Sequence, residues 1–281
     1  MRTDGLFERY ASFDELRSVC AAPGGAWLSE AERRELSRFR DPARRRAWLC
    51  GRRLGKQFVL ETIAESETEK LRVESSGLGV KNKSGSQLST VNSQPLKPSR
   101  VEICSRDAAG RAVRPMVKIN GRRSGCCLSI SHSERGILLA VSTNPGISVG
   151  VDLATSAELK PAFLKTWFTG KEQQWLQNIN SQLSMTLWAI KEAVYKACNA
   201  GESFKPRRIE VFRSRWGRFW CRYEGKDLRD VCDIRTRKVD GQMAVTVVVA
   251  KSIETDDRTD EIESLAGHGV LFSNAPQPVH V

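Results

Sequence analysis

The chain has 281 residues, 28% of them charged, and its formal net charge at pH 7 is +12. This length allows one large or two small domains with proper cores, and the lack of an apolar run of about eighteen residues excludes a membrane-spanning helix. The charged start of the chain has no apolar segment, so we expect no signal peptide and a cytoplasmic protein. The positive charge predicts an acidic partner without identifying it.

The first part of the chain is predicted to be helical and then irregular. Helix is expected over residues 29–62, where Ser29 is a possible N-cap and Glu32 completes a capping box. About residues 65–100 the composition shifts to Ser, Lys, Gly, Asn and Gln, which is typical of a flexible insertion. The eight cysteines show no zinc-type C-x-x-C spacing, so we expect reduced thiols.

Short strands are predicted next, over residues 116–119, 127–131 and 136–141. The last of these is expected to pair with residues 147–153 across the turn at 144–146. In residues 147–153 apolar side chains alternate with Ser, Gly and Asp, which is typical of a half-buried strand. Asp152 and Gly150 fall on one face, where glycine would let a ligand approach the backbone. The alternative is an aspartate that only caps a turn.

A helix is predicted over residues 184–199, with apolar side chains at 187, 190, 194 and 197. Glu192 and Lys196 are four residues apart on a neighbouring face, and by themselves they could be a surface ion pair worth only about 0.3–0.5 kcal/mol. Their occurrence with Asp152, 40 residues before Glu192, changes this interpretation. Two carboxylates flanked by lysines are what a hard divalent cation and a polyphosphate require.

The remaining elements give a mixed α+β pattern in each half of the chain. Helices are expected at 160–167 and 171–178, and strands at 209–212, 218–223 and 243–249. We predict a first lobe over residues 1–146, a second lobe over 147–251 that carries the metal-binding carboxylates, and a disordered tail over 252–281.

Four segments, in order, resemble the signature of the Sfp-type 4′-phosphopantetheinyl transferases. They are Leu128-Ser-Ile-Ser-His-Ser133, Val149-Gly-Val-Asp152, Phe168-Thr-Gly-Lys-Glu172 and the helix Trp188-Ala-Ile-Lys-Glu-Ala-Val-Tyr-Lys196. Looser matches occur at Phe39, at the basic run 44–46, at Gly51-Arg52 and at 110–115. The resemblance covers roughly residues 30–250 and is strongest over 128–198. It implies two similar α/β lobes that form a pseudo-dimer with the active site between them.

The resemblance also implies an activity. Such enzymes move the phosphopantetheine arm of coenzyme A onto a serine of an apo acyl or peptidyl carrier protein and release 3′,5′-ADP. The cofactor implied is Mg²⁺, and the partners implied are coenzyme A and an acidic carrier protein, with no membrane and no nucleic acid. Catalysis would consist mostly of positioning and electrostatic stabilisation.

The residue roles implied by the resemblance fall into three groups. The metal ligands would be Asp152, Glu192 and Glu172, and the catalytic residues Glu192 and Lys196. The coenzyme A ligands would be Lys191, His132, Ser131, Arg46, Arg111 and Arg114. One departure is Ala154, which stands where better-known members have a second acid, and a water is expected to fill that position.

Two other functions fit parts of the sequence. A basic nucleic-acid-binding protein would explain the charge and the arginines and aromatics of segment 213–220, although a β-hairpin with a buried aromatic face also explains that segment. A protein that binds coenzyme A without catalysis would explain Ala154.

Overall fold

The computed structural model describes residues 5–16, 27–77, 97–107, 110–155, 159–176, 181–199 and 201–251. Contacts group the residues up to 250 into one compact unit, and everything below concerns that unit. The tail predicted over 252–281 and most of the predicted insertion lie outside the described residues.

The described residues of the first half of this unit form a strand, two helices and five further strands. Their bounds are β1 Leu6–Ser12, α1 Glu30–Leu36, α2 Pro42–Gly77, a 3₁₀ turn Pro98–Arg100, β2 Val101–Arg106, β3 Ala112–Ile119, β4 Arg122–Arg123, β5 Cys127–His132 and β6 Gly136–Ser142. The predicted cap of α1 is confirmed, because Ser29 and Glu32 bond reciprocally as a capping box.

The second half repeats this order, with one additional short helix. Its elements are β7 Ile147–Ala154, α3 Pro161–Trp167, α4 Gly170–Leu176, α5 Ser181–Cys198, a 3₁₀ turn Pro206–Arg208, β8 Ile209–Arg213, β9 Phe219–Tyr223, β10 Lys226–Asp227, β11 Cys232–Val239 and β12 Gln242–Ala250. The mixed α+β class is therefore confirmed.

The sheets repeat as well. In the first half the strand orders are β1-β6-β5 and β2-β3-β4, and in the second they are β7-β12-β11 and β8-β9-β10. All the pairings within these sheets are antiparallel. Each half has its own apolar core, formed between these sheets and the half's longest helix.

Several predictions about the elements were wrong or incomplete. Residues 136–142 pair with β1 and β5, whereas β7 pairs with β12. Helix α2 extends to Gly77, which is well inside the segment predicted as a flexible insertion. Strands β1, β2 and β11 were missed; β11 is mostly exposed and polar, so it lacks the buried alternation that identifies a strand.

A buried lysine–glutamate pair occurs at the same place in each half. In the first half Lys56 of α2 contacts Glu32 at 2.7 Å, and Glu32 accepts the backbone N–H of Ile103 in β2. In the second half Lys191 of α5 contacts Glu172 at 2.8 Å, and Glu172 accepts the N–H of Val211 in β8. Each glutamate also closes a capping box, with Ser29 and with Thr169 respectively. The two halves thus share a scaffold.

The halves join along a seam between β5 and β7. Cys127 Sγ accepts the N–H of Val149 at 3.4 Å, Ser129 Oγ accepts that of Val151 at 3.0 Å, and Ser131 Oγ accepts that of Leu153 at 3.3 Å. Alternate side chains of β5 therefore satisfy the N–H groups that β7 presents to it. We refer to these three residues of β5 as the seam residues.

Two further observations bear on the sequence predictions. Among the residues that the structure describes, no helix is long and apolar enough to cross a membrane. Six of the described cysteines are free, as expected, but Cys50 is disulfide-bonded, which corrects the prediction of reduced thiols.

Candidate active site

Asp152 lies in the middle of a completely buried strand and faces helix α5. Every residue of β7 is buried, and Asp152 is 6% exposed. The helix comes close because of Gly150, where an added Cβ would lie 1.9 Å from the carbonyl oxygen of Ala193. Gly150 therefore admits the helix and not a ligand, which corrects its predicted role. The close packing brings Asp152 within reach of the side chains of α5.

Three polar groups surround the Asp152 carboxylate. Lys196 Nζ donates to Asp152 Oδ1 at 2.7 Å and to the carbonyl of Val151 at 3.1 Å. Ser131 Oγ also donates to Asp152 Oδ1, at 2.8 Å. The carboxylate of Glu192 lies within hydrogen-bonding reach of Asp152 and 3.9 Å from Lys196 Nζ. The acids and the lysine predicted from residues 40 apart therefore meet at one place.

Burial and three neighbouring side chains decide the charge of Glu192. Burial and the adjacent Asp152 carboxylate raise the pKa of Glu192 to about 7, although Lys196 and a hydrogen bond from Trp188 act in the opposite direction. Trp188 sits in an aromatic cluster, 4.8 Å from Phe163 and 5.6 Å from Phe204 between ring centroids. This cluster fixes the indole that donates to Glu192, a positioning role that sequence reasoning missed.

Lys196 is the cation that compensates the two acids. Burial disfavours its charged form, but the nearby Asp152 and Glu192 carboxylates outweigh burial and raise its pKa. Lys196 is therefore an ammonium at neutral pH, with its Nζ placed between the two acids.

The donor set fits a divalent cation with two protein ligands. The Asp152 carboxylate that faces Glu192 disfavours the ionisation of Glu192, as the raised pKa of Glu192 reflects, and a divalent cation bound by both acids would relieve that repulsion. Mg²⁺ often takes only one or two carboxylates and keeps several waters. Ala154 is buried in the core and supplies no ligand, and no group of three acidic, histidine or cysteine side chains that could hold a metal occurs in the described ranges.

The predicted roles of Glu172 and Lys191 need correction. Both side chains are at most 1% exposed and bind each other, and Lys191 Nζ also donates to the carbonyls of Pro206 and Ile209. Burial lowers the pKa of Lys191, an effect that Glu172 partly offsets. Because every donor and acceptor of this pair is committed inside the second half, Glu172 is not placed as a metal ligand, nor Lys191 as a diphosphate ligand.

Two predicted arginine ligands have other partners. Arg114 of β3 donates to the carbonyls of Ala197 and Asn199 and to Ser148 Oγ, at 2.6, 3.1 and 3.1 Å. It thus crosses from the first half to cap the C-terminus of α5, where a cation is favoured by the helix dipole. Arg111 is largely exposed and forms an ion pair with Asp107 at 2.7 Å. Arg114 has a structural role in place of the predicted one.

His132 and Arg46 are exposed, so both side chains are accessible to a ligand. His132 ends β5 immediately after Ser131, so it lies close in sequence to a residue that contacts Asp152. Arg46 lies in the first turns of α2. Their roles towards coenzyme A stay predictions.

Comparison with known proteins bears on the second half. Residues 148–248 match the family model described as ACPS, 4′-phosphopantetheinyl transferase superfamily. No curated protein sequence matches the chain significantly. Among solved structures, the chain is similar to the apo-ACPS structure from Chronobacterium ammoiniagenes at 21% identity and a TM-score of 0.30, over 38% of this chain and 97% of that one. The matched segment holds Asp152, Glu192 and Lys196, and by this match that part of the chain is similar to the 4′-phosphopantetheinyl transferase superfamily.

Proposed function

We propose that the protein is a 4′-phosphopantetheinyl transferase of the Sfp type. It would move the phosphopantetheine arm of coenzyme A onto a serine of an apo acyl or peptidyl carrier protein and release 3′,5′-ADP. The observation that carries the proposal is the convergence of Asp152, Glu192 and Lys196, within the segment that matches the superfamily, on one buried strand and the helix packed against it.

The architecture proposed with this function is a pseudo-dimer. The repeated order of elements and sheets supports two similar lobes, over residues 1–146 and 147–251. The seam between β5 and β7 supports a site built by both lobes, since Ser131 comes from the first and Asp152 and Glu192 from the second.

Asp152 and Glu192 would hold Mg²⁺, which when bound neutralises charge on a pyrophosphate and polarises its phosphorus. Glu192 and Lys196 would each have a further role in the transfer. Glu192 is the more exposed acid and would accept the proton of the attacking serine hydroxyl. Lys196, partly exposed between the acids, would balance the charge that gathers on the departing 3′,5′-ADP phosphate.

His132 and Arg46 are proposed to contact the phosphates of coenzyme A, because both are exposed cationic or donor side chains of the first lobe. The carrier protein would be acidic, which suits a chain with a net charge of +12.

The arginine-rich hairpin does not favour the rival function of nucleic-acid binding. Phe212 and Trp220 stack on each other, with ring centroids 4.0 Å apart, on the sheet face opposite the buried Val211 and Cys221. Arg222 lies over both rings and Arg229 lies 4.0 Å from the Trp220 centroid. The segment is a hairpin, as one interpretation predicted. However, Phe212 and Trp220 are only half-buried, and their faces are already covered by arginines instead of being open to bases.

The decisive experiment mixes the protein with coenzyme A, Mg²⁺ and a panel of apo carrier proteins, and follows intact mass. We expect at least one carrier to gain a single arm, with no gain in EDTA or when the acceptor serine is replaced by alanine. Coenzyme A binding without transfer to any carrier would favour the non-catalytic alternative. Oligonucleotide binding that persists at high salt and ignores coenzyme A would favour the nucleic-acid alternative.

A further inference from the structure

We infer that Ser131 is a positioning residue that fixes the Asp152 carboxylate for its divalent cation, and is not a ligand of coenzyme A. The inference rests on the proposed function, because it assigns the cation to Asp152 and Glu192. It replaces the role that the sequence resemblance implied for Ser131.

The hydrogen bonds of Ser131 carry the argument. A serine hydroxyl has one proton to donate and lone pairs to accept with. Ser131 Oγ gives its proton to Asp152 Oδ1 at 2.8 Å and accepts the N–H of Leu153 at 3.3 Å. The side chain is buried, with 4% of the residue exposed. It therefore has no proton left for a phosphate, and its two bonds tie it to a backbone N–H and to the candidate metal ligand.

The bonds to Asp152 determine which of its oxygens is available. Ser131 and Lys196 both donate to Oδ1, so neither of these donors contacts Oδ2. A carboxylate held by two donors on one oxygen cannot rotate without breaking both bonds. Such hydrogen bonds orient ligating carboxylates in metal sites, and their loss typically lowers metal affinity about 10- to 100-fold.

The other seam residues provide an internal comparison. Ser129 is equally buried and accepts the N–H of Val151, yet its hydroxyl is not bonded to Asp152. Cys127 does the same for Val149. The backbone bond is thus common to the seam, whereas the carboxylate bond belongs to Ser131. Removing the hydroxyl of Ser129 removes only a bond to the backbone of β7. Removing the hydroxyl of Ser131 removes such a backbone bond and the bond to the Asp152 carboxylate as well.

The experiment measures Mn²⁺ binding to the protein alone, from the decrease of the free Mn²⁺ signal in electron paramagnetic resonance. The variants are Ser131→Ala, Ser131→Thr, Ser129→Ala and Glu192→Gln, each checked for folding by circular dichroism. We expect Ser131→Ala to weaken Mn²⁺ binding by about 10-fold or more. We expect Ser129→Ala to stay within about twofold of the wild type and Ser131→Thr, which keeps a hydroxyl, to bind more tightly than Ser131→Ala.

A second measurement separates positioning from a purely structural effect. In the transfer assay, the rate of Ser131→Ala should recover towards the wild-type value as Mg²⁺ is raised, while the KM for coenzyme A changes little. A seam that merely loosened would not respond to Mg²⁺ in this way.

The outcomes distinguish this inference from the proposed function. If Glu192→Gln abolishes Mn²⁺ binding but Ser131→Ala binds like the wild type, or no worse than Ser129→Ala, the inference is wrong and the metal site stands. A raised KM for coenzyme A in Ser131→Ala, with unchanged Mn²⁺ affinity, would also overturn it. If wild type and Glu192→Gln bind Mn²⁺ equally, the metal site itself is wrong, and the inference falls with it.

Discussion

The two halves of the molecule share a scaffold but carry opposite charges where the second half has its site. Glu61 follows the buried Lys56 by five residues, as Lys196 follows Lys191. Glu61 pairs with Arg9 of β1 at 2.7 Å, whereas Lys196 pairs with Asp152 of β7 at 2.7 Å. The first half therefore places a guanidinium on its strand, where the second half has an acid.

The helix residue that follows the buried lysine also differs in charge between the two halves. Directly after the buried lysine stands Gln57 in the first half and Glu192 in the second. Gln57 donates to Glu61 at 3.0 Å. The Glu61 carboxylate of the first half therefore already has a cation, Arg9, and an amide as its partners. The comparison teaches that the lysine–glutamate pairs, present in both halves, belong to the scaffold, while the two acids are specific to the second half, where the proposed chemistry lies.

The largest effect should come from breaking a scaffold pair. Replacing Lys191 by alanine leaves Glu172 buried without its partner, which should lower the free energy of unfolding by about 3–5 kcal/mol, and Lys56→Ala should cost about as much. Urea unfolding measures both. Arg34→Ala in the exposed pair with Glu30 is the control, with less than about 0.5 kcal/mol expected. A stable but inactive Lys191→Ala protein would indicate that Lys191 takes part in the reaction and not only in the fold.

The next largest effect sharpens the comparison between Glu192 and Gln57. Glu192→Gln should slow transfer by about 100-fold or more, the scale for losing one charge-stabilising group, because it removes the proposed metal ligand and proton acceptor. The reciprocal Gln57→Glu should leave the rate within about twofold. Initial rates from intact mass would decide. Near-normal turnover of Glu192→Gln would show that the acids are not the site.

A smaller effect tests the packing that sets the acids against α5. Gly150→Ala places a Cβ where the carbonyl of Ala193 now lies, so strand and helix must separate, at about 1–3 kcal/mol. Gly170→Ala, in open space at the start of α4, should be neutral or slightly stabilising. Thermal unfolding and transfer rate are the measurements. An unaffected Gly150→Ala protein would mean that close packing is not what brings the acids together.

A further effect is a pH dependence without divalent cations. Because the fold raises the pKa of Glu192 to about 7, the folded protein holds a proton there that the unfolded chain has released above its ordinary pKa of 4.5. The stability should therefore fall as pH rises from about 4.5 to 7 and then level off. Melting temperatures in EDTA would show this decline, which Glu192→Gln should flatten and Gln57→Glu should not. A slope that is the same in wild type and Glu192→Gln would contradict the shift.

Sequence reasoning located the acids because local patterns encode them. The alternation around Asp152 predicted a strand, and the spacing around Glu192 and Lys196 predicted a helix with both side chains on one face. The resemblance predicted that the three residues lie together. It failed where burial depends on distant partners. The resemblance implied that Lys191 binds coenzyme A, yet the side chain of Lys191 enters the core to reach Glu172. The bond between Ser131 and Asp152 likewise depends on contact between two strands that no ladder joins.

The strand register shows a similar limit. The turn at residues 144–146 suggested a hairpin between β6 and β7. Instead, β6 lies between β1 and β5 in one sheet, and β7 is an edge strand beside β12 in a different sheet. Adjacent strands separated by a turn usually pair. Here the repeat places each half's first strand beside its own last strand, and this arrangement appears only once both halves are compared.

The dependence of Asp152 on Ser131 has a consequence for how the protein matures. The acid of the second half, Asp152, is held by the hydroxyl of Ser131, which belongs to the half that is synthesised first. A second half expressed alone would lack that hydroxyl. Another polypeptide would have to supply it before Asp152 were held in place for a cation. Under the proposed function, cation affinity would therefore report whether the halves have docked, and it would provide a simple assay of correct assembly in truncated or circularly permuted chains.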